Sequence, residues 1–228
     1  MSEEAEGLNS SGAVDKVADT IIRGIRSGAF VPGQHLVEPD LMQRIGISRG
    51  SLREALKHLS VAGIVTLNRF RGAYIAALDQ KTTLDLLDVL EPLARLAARL
   101  AAQHCDSKEK RQAIQAAARA VEEANRSLNR THYLEQRRNF YTILIGIGGN
   151  RELERAMPLN RADLFRAQAE AHKTEKQRQR HVSGYARVSK AVTEQNVAAA
   201  DRAVQSHFAC TRRSISEMPE NSFQGIAV

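Results

Sequence analysis

Hydrophobic residues recur at helical spacing along most of the chain. The first such run covers residues 14–25 and stops at Ser27-Gly28, where glycine can take the left-handed conformation that ends a helix. Residues 1–12 combine Glu, Ser and Gly without hydrophobic periodicity, which predicts a disordered tail. The chain therefore predicts a tail followed by a first amphipathic helix.

Two short helices separated by a glycine are predicted next. A short extended piece at residues 35–37 leads into a helix over 38–45, which Gly46 ends, and Ser48 can cap a second helix over 49–60. Such a pair is the layout of a helix-turn-helix. The hydrophobic residues of its second helix lie on one face: Leu52, Ala55, Leu56 and Leu59.

A β-hairpin is predicted after the second helix. Residues 64–67 and 73–76 are β-prone, and the basic stretch 68–72 between them has the composition of a turn. Together with the preceding helices, this hairpin predicts a winged helix-turn-helix domain over residues 13–78, followed by a linker at 79–81.

The region beyond the linker has helical periodicity throughout. Pro92 falls inside its first helix and is expected to kink it, since proline lacks a backbone donor. The predicted fold class is therefore mainly α, with the winged helix-turn-helix followed by an all-α helical bundle over residues 82–220. The helices of the bundle are expected at 82–104, 107–128, 131–147, 150–157, 159–179 and 181–217, the last split near 196–199.

The composition agrees with a helical protein of two domains. Of the 228 residues, 43% are hydrophobic and 4% aromatic with no Trp, which disfavours an all-β fold. The formal net charge of +7 suits a polyanionic partner such as nucleic acid. Through Leu78, however, nine basic residues stand against eight acidic ones, so the net charge alone does not locate a DNA site.

The cysteines and the hydropathy of the chain argue against a disulfide-rich, zinc-binding or membrane protein. Cys105 and Cys210 are far apart and have no metal-ligand spacing, so neither a disulfide framework nor a zinc site is expected. The N-terminus is acidic and polar, and no stretch approaches about 20 uninterrupted apolar residues. The sequence predicts a cytoplasmic protein without membrane contact.

Basic residues repeat along the second helix of the pair. Arg49, Arg53 and Lys57 are four residues apart, so they share a face opposite the hydrophobic one. A helix of this kind fits the major groove of DNA, where arginine can bond two acceptors of guanine. A solvated charged face is the alternative for such a helix taken alone. Arg69 and Arg71 at the hairpin tip favour the DNA interpretation, because they can reach the minor groove or the phosphates.

These residues resemble a known domain. The run PGQHLVEPDLMQRIGISRGSLREALKHLSVAGIV, followed by RGAYIA, is similar to the DNA-binding domain of GntR-type regulators. Pro39 stands where some relatives carry an arginine that contacts DNA, and we expect Glu54 to hold neighbouring basic side chains in place. The DNA contacts that the resemblance implies are Ser48, Arg49, Ser51, Arg53, Arg69, Arg71 and Gly72.

The C-terminal region resembles the helical FCD-type effector domain of the FadR-like branch of GntR regulators, nearer its VanR-like form. Many members of that branch hold a metal ion through an Asp and three His inside the bundle. At those places this chain has Arg137, Tyr141 and Tyr185, and only His207 remains, so neither a metal nor another cofactor is expected. The resemblance rests on Leu90 to Ala94, Leu100 to Ala102, Asn139 to Tyr141, Gly149 to Leu153 and Ala203 to His207.

The altered positions predict a different kind of site. A buried guanidinium needs either a carboxylate of the protein or an external anion. One hypothesis is that Arg137 takes the place of the metal as the positive centre for a small organic anion, such as a carboxylate effector, with Tyr141, Tyr185 and His207 donating hydrogen bonds. Two alternatives stay open: Arg137 extends to solvent beside ordinary core tyrosines, or the pocket is degenerate.

The other histidines are expected at the surface. His104, His132, His172 and His181 show no metal-ligand spacing. The stretch 172–181 predicts a solvated helix end because it is rich in basic residues: Lys173, Lys176, Arg178 and Arg180.

These features predict a ligand-responsive transcriptional regulator, most simply a repressor. It would bind a near-palindromic operator in double-stranded DNA as a homodimer. One alternative is an architectural DNA-binding protein that has no effector and a degenerate pocket. Another is an enzyme that uses Tyr141, Tyr185 and His207 as acid and base groups. The sequence has no nucleophile elbow, phosphate loop or paired carboxylate motif, so we expect no enzyme.

Overall fold

The N-terminal part of the fold is a small helical domain with a wing. The computed structural model describes residues 3–127, 129–170 and 172–223. The domain consists of α1 (Glu3–Ser27), β1 (His35–Leu36), α2 (Glu38–Ile45), α3 (Arg49–Val61), β2 (Val65–Asn68) and β3 (Gly72–Ile75). The helix-turn-helix and the hairpin that the sequence predicts are both formed.

Helix α1 packs across α3 and forms the core of this domain. Val17, Ile21 and Ile25 recur every four residues along α1 and are buried, and α1 contacts α3. Gly46 takes a φ of 72° and ends α2, and Ser48 then caps the start of α3. The position of α3 is therefore set by a hydrophobic face on one side and by a tight turn at its start.

The first helix starts earlier than the sequence indicates. We expect it near Val14, behind a tail over residues 1–12, but α1 begins at Glu3. No proline interrupts this stretch, so a helix that is already anchored on α3 can extend backwards without a break. Met1 and Ser2 lie outside the described residues.

The wing is an antiparallel sheet in the order β1, β3, β2. Asn68 lies opposite Gly72, so residues 69–71 form a tight turn between the two longer strands. Gly72 has a φ of 85°, and a Cβ at this position would lie 3.0 Å from His35 Nε2. Glycine is therefore required where the tip of the wing rejoins the sheet.

The C-terminal part is an all-α bundle, in agreement with the predicted fold class. Its helices are α4 (Gln80–His104), α5 (Lys108–Arg126), α6 (Arg130–Gly148), α7 (Arg151–Ala156), α8 (Leu159–Glu170), α9 (Glu175–Thr193) and α10 (Val197–Ser216), followed by a 3-10 turn (Glu220–Phe223). Helix α4 continues through Pro92 as one element, and its buried stripe packs on α6 and α10.

One helix break lies at a different place from the predicted one. The sequence predicts a break near residue 180, but α9 already starts at Glu175. The reason is a capping box, in which Thr174 accepts from the Gln177 backbone and the Gln177 side chain accepts from the Thr174 backbone. As a consequence, His181 lies inside α9 instead of at its start.

Helix α8 connects the bundle to the N-terminal domain. The side chain of Gln168 accepts from the Leu78 N–H at 3.1 Å and donates to the Leu78 carbonyl at 2.9 Å. At the other end of α8, the side chain of Arg161 packs against Gly63, just after α3. Helix α8 also contacts α1. A shift of α8 would therefore change its contacts with the N-terminal domain directly.

Candidate functional site

One face of α3 is a row of exposed cations. The side chains of Arg49, Arg53 and Lys57 are 70%, 59% and 63% exposed. The opposite face of the helix, which includes Leu52 and Leu56, is buried. This is the two-sided helix that the sequence predicts, and it presents its positive charges to solvent.

The first turn of α3 is open to close approach. The Ser48 hydroxyl accepts from the Ser51 N–H at 3.2 Å, and the two hydroxyl oxygens are 3.0 Å apart. Gly50 lies between them and adds no side chain. The small groups around Arg49 therefore leave room for another molecule at the positive end of the helix dipole.

A carboxylate on α2 lies within ion-pair distance of two of these arginines. Glu38 Oε2 lies 3.9 Å from Arg49 Nε and 3.6 Å from Arg53 Nε. The sequence predicts that Glu54 holds neighbouring basic side chains, and it does accept a hydrogen bond from Lys57 Nζ at 2.7 Å, which lowers the pKa of the Glu54 carboxyl. The sequence does not reveal the part played by Glu38, because only the angle between α2 and α3 brings it near them.

The wing tip lies beside the exposed face of α3. Arg69 and Arg71 are both exposed. A groove of about 300 Å³ runs between the wing and α3, and Arg53, Lys57 and Gly72 are among the residues that line it. Three of the residues that the sequence predicts as DNA contacts, Arg53, Arg69 and Gly72, therefore line one groove, together with Lys57 and the acidic Glu38.

A second group of predicted residues meets inside the bundle. Arg137 on α6 is 1% exposed, and its Nε donates to the Tyr185 hydroxyl at 2.9 Å. Its Nη1 donates to a Glu170 oxygen at 3.3 Å, and its Nη2 lies 3.4 Å from His181 Nε2. The alternative in which Arg137 extends to solvent is therefore wrong.

Aromatic rings surround this arginine. Tyr141, Tyr185 and His207 are all buried, and the ring centroids of Tyr185 and His207 are 4.8 Å apart. A second guanidinium, that of Arg166, stacks over the Tyr141 ring at 5.0 Å from its centroid. The four residues predicted for the effector site thus share one buried region, together with a cation that the sequence does not predict there.

Helix α8 and the loop after it supply further charged residues. Asp163, Arg166 and Glu170 are buried on α8, and Lys173 is buried too and donates to Glu170 at 3.0 Å. The sequence predicts a solvated position for Lys173 and His181, which is wrong, because Glu170 draws the lysine inward and the capping box places the histidine on the buried face of α9. The sequence signal for this was the spacing of Asp163, Arg166 and Glu170 at i, i+3 and i+7, which places three charged residues on one face of a helix rich in alanine and leucine.

We call this set the buried polar cluster. It consists of Arg137, Tyr141, Asp163, Arg166, Glu170, Lys173, His181, Tyr185 and His207.

The buried polar cluster has more cations than carboxylates. Its cations are Arg137, Arg166 and Lys173, and its carboxylates are Asp163 and Glu170, of which Asp163 also pairs with the partly exposed Arg138. Burial alone would raise the pKa of Glu170, but Lys173 and Arg137 more than offset this and lower it. Burial, together with repulsion by Arg137, lowers the pKa of Lys173 to about 8. An additional anion would balance the excess positive charge.

The two histidines of the cluster are neutral. The centroids of His181 and His207 are 4.1 Å apart, and burial lowers the pKa of both well below the usual range. Arg137 adds to this effect at each ring. Gly184 makes the packing possible, because a Cβ there would overlap His207 Nδ1. Neutral imidazoles can both donate and accept hydrogen bonds.

Several polar atoms in and beside the cluster have no hydrogen-bond partner among the described residues. They are Arg166 Nε and Nη1, Glu170 Oε1, His181 Nδ1, His207 Nδ1 and the Tyr133 hydroxyl oxygen. A pocket of about 270 Å³ between α5, α6 and the start of α9 reaches the cluster at Glu170, and Arg130, Tyr133 and Arg178 also line it. Unpartnered buried polar atoms are costly, so the arrangement suits a small polar ligand.

Neither a metal site nor a membrane-spanning helix is found within the described ranges. No group of three or more His, Cys, Asp and Glu side chains is placed there to hold a metal ion. None of the helices in this part of the chain combines the length and the apolar composition needed to cross a membrane.

Two family descriptions match the sequence. Residues 13–75 match the family described as "Bacterial regulatory proteins, gntR family", and residues 85–209 match the FCD domain. The second match covers more than half of the chain. The border between the two matches falls close to the start of α4.

Individual relatives are similar over part of their length. The uncharacterized HTH-type transcriptional regulator YdhC of Bacillus subtilis is 25% identical over 134 residues, which is 57% of this chain and 58% of that protein. The Nta operon transcriptional regulator of Aminobacter aminovorans is 28% identical over 124 residues, which is 54% of this chain and 58% of that protein. The chain thus spans less than two thirds of the length of these relatives.

A solved structure has the same architecture. E. coli McbR/YncC superposes on this chain with a TM-score of 0.78 at 13% identity, over 90% of this chain and 97% of that one. At this low identity the likeness supports the fold alone, a winged domain followed by a helical bundle.

Proposed function

The chain belongs to the GntR family of bacterial regulatory proteins and carries an FCD domain after its gntR-type segment, and from this premise we propose that it regulates transcription by binding DNA. The family consists of DNA-binding regulators and not of enzymes. The enzyme alternative, with Tyr141, Tyr185 and His207 as acid and base groups, is therefore set aside. A regulator of bacterial genes acts at the chromosome, and we place it in the cytoplasm.

The observation that carries the proposal is the exposed row of cations on α3 beside the basic wing. Arg49 and Arg53 lie in the first turns of the helix, from which a recognition helix reaches base edges in the major groove. Lys57 is further along and suits a phosphate. Glu38 lies 3.6–3.9 Å from both arginines, beyond hydrogen-bond range, so they can exchange this weak partner for DNA at little cost.

We propose that two copies bind a near-palindromic operator. Two winged domains related by a two-fold axis place their recognition helices in successive major grooves, roughly 34 Å apart. The bundle sets this separation, because α8 is bonded to Leu78 and packs against Gly63. Repression that a ligand relieves is the simplest use of such a dimer.

We further propose that the buried polar cluster binds a small organic anion such as a carboxylate. The excess of buried cations supports this, as do Nε and Nη1 of Arg166, which have no hydrogen-bond partner among the described residues although Nη1 lies 3.6 Å from Asp163 Oδ1. Arg137 is less free than the sequence suggests, since Tyr185 and Glu170 already accept its hydrogen bonds. Arg166, which lies over the Tyr141 ring, is therefore the better candidate for the direct partner of the anion.

Helix α8 provides a route from this site to the DNA-binding domain. It carries Arg166 on its inner side, while Gln168 holds Leu78 and Arg161 packs against Gly63. An anion that draws Arg166 toward it would move the same helix that positions the winged domain. The ligand can shift DNA affinity only as far as it binds the two arrangements differently.

The DNA proposal is tested by selecting duplexes that the purified chain binds from a random pool. Arg49→Ala and Arg53→Ala should each weaken binding to the selected duplex by about 1–3 kcal/mol and relax its sequence preference. Arg119→Ala is the matched control, because Arg119 is exposed on α5, far along the chain from α3. Full sequence discrimination in both α3 variants would contradict the proposal.

The effector proposal is tested with a panel of small mono- and dicarboxylates. A bound anion should raise the melting temperature and change the affinity for the selected duplex. Arg166→Lys should weaken the anion response while keeping the charge, because lysine lacks the planar donors. Gln168→Ala should keep the rise in melting temperature but reduce the effect on DNA.

The architectural alternative predicts the opposite result for the same panel. In that case no carboxylate would alter DNA affinity, although the chain would still select a duplex. A stoichiometric transition metal in protein purified without chelator would also contradict an anion site built on arginine.

A further inference from the structure

Phe70 is a large apolar side chain at the tip of the wing. It is 91% exposed and lies between Arg69 and Arg71 in the turn that joins β2 and β3. Burying a phenyl ring is among the more stabilising contacts that a side chain can make. A ring that is nearly all in water at this point of the fold therefore suggests a surface that it meets on binding.

The turn holds Phe70 in a defined place. The Asn68 side-chain oxygen accepts from the Phe70 N–H at 3.1 Å, which fixes one side of the turn. Gly72 fixes the other side, because its φ of 85° and its proximity to His35 leave no room for a larger residue. The wing thus presents the ring outward on a short and well-braced tip.

Cations outnumber carboxylates around the ring. Phe70 lines the same groove as Arg53, Lys57 and Arg69, and Glu38 is the acidic residue in its lining. A rim of guanidinium and ammonium groups is a poor match for the hydrophobic surface of a protein partner. It matches duplex DNA, in which rows of phosphates flank the apolar faces of the bases.

Resting on the proposed DNA-binding function, we propose that Phe70 enters the minor groove beside the major-groove site and wedges partly between two base pairs. Arg69 and Arg71 then lie at the phosphates on either side. The minor groove is about 6 Å wide, so a ring can enter edge-on. Apolar wedges of this kind unstack one base step and bend the duplex toward the major groove.

The proposal has a consequence for operator sequence. Pyrimidine–purine steps such as TA and CA unstack at the lowest cost. The selected duplexes should therefore carry such a step at a fixed distance outside each half-site, where no hydrogen bond from α3 reaches. Phe70 would be a specificity-determining residue that reads deformability instead of base edges.

The test uses the full chain and a duplex that the wild type has selected. Phe70→Ala should lower affinity about ten- to hundredfold with an unchanged salt dependence, because no charge is removed. Arg71→Ala, the matched variant, should instead lower the slope of log affinity against log salt by about 1. Phe70→Leu should keep part of the affinity, since leucine is also an apolar wedge.

Two structural readouts belong to the same experiment. 2-Aminopurine at the flanking step should brighten on binding of the wild type and stay dim with Phe70→Ala. End-to-end energy transfer should report a bend that Phe70→Ala reduces. The melting temperature of this variant should equal that of the wild type, because the ring makes few contacts in the free protein.

Three results would overturn the proposal. One is a Phe70→Ala variant with wild-type affinity and an unchanged bend. Another is a change in oligomeric state of this variant without DNA, measured by light scattering, because Phe70 would then pack against a second copy. The third is failure of the wild type to select any duplex, which would overturn the proposed function as well. In the first two results duplex selection succeeds, so the failure belongs to Phe70 alone.

Discussion

The N-terminal domain and the bundle use arginine in opposite ways. On α3, the Arg49 and Arg53 side chains are 70% and 59% exposed, and their shared partner Glu38 lies 3.6–3.9 Å away. In the bundle, the Arg137 side chain is 2% exposed, and its nitrogens contact Tyr185, Glu170 and His181. Water can hydrogen-bond to the exposed guanidinium groups of Arg49 and Arg53, whereas the buried guanidinium of Arg137 depends on hydrogen bonds to the protein.

The exposed arginines of α3 are therefore suited to recognising DNA, whereas the buried arginine contributes to the stability of the fold. An exposed ion pair contributes at most about 1 kcal/mol to folding, so the α3 arginines are free to exchange partners for DNA. A buried guanidinium that loses its partners is strongly destabilising, so the stability of the fold depends on the contacts of Arg137. Changes in the two regions should therefore have very different effects on the free energy of unfolding.

The largest effect is expected from Arg137→Met. The substitution removes the hydrogen bonds to Tyr185 and Glu170 and leaves the carboxylate with Lys173 alone. We expect a loss of about 3–5 kcal/mol in the free energy of unfolding, measured by urea denaturation.

Arg53→Met is the matched control for this prediction. It removes the same kind of side chain from the exposed face of α3, and the free energy of unfolding should change by less than about 0.5 kcal/mol. Equal losses in the two variants would remove the distinction between the regions.

The next effect is a loss of stability in mild acid. His181 and His207 stay neutral in the folded chain, because burial lowers their pKa values well below the usual range. In the unfolded chain they bind protons near pH 6.5. The unfolded state therefore binds more protons below pH 6.5, and each imidazole lowers the free energy of unfolding by up to about 1.4 kcal/mol per pH unit.

The measurement is denaturation at a series of pH values between 7 and 5. His207→Gln should make the fall with pH shallower, and His132→Gln, at an exposed position, should leave it unchanged. If the wild type and His207→Gln lose stability equally over this interval, the buried imidazoles are not the cause.

The smallest of the three effects is expected from Gly184→Ala. The added methyl group would overlap His207 Nδ1, so the imidazole or α9 must shift. Overpacking of this kind should cost about 1–3 kcal/mol. Gly146→Ala on α6 is the control, because nothing lies within 4 Å of a Cβ there and a helical alanine should instead stabilise by roughly 0.5–1 kcal/mol. A neutral Gly184→Ala would mean that the cluster is loosely packed.

Much of the fold can be predicted from local pattern. The helix over 38–45, Gly46 and the Ser48 cap are found where the sequence indicates them, because turn and cap chemistry depend on neighbouring residues. The two-sided character of α3 follows from its repeat of charged and hydrophobic residues. The early start of α1 was not predictable in this way, because that segment lacks a hydrophobic face of its own.

The two candidate sites differ in the same way in how far the sequence predicts them. Periodicity determined that Arg49, Arg53 and Lys57 share a face, since an α-helix returns to the same side about every four residues. Only the tertiary structure decided that Glu38 lies near two of them and that Arg166, Glu170 and Lys173 are buried in the same cluster as Arg137. Those contacts connect separate segments, and packing of the helices sets their distances. The sequence by itself determines which residues lie on the same side of one helix. The packing of the helices determines which charged side chains are buried together.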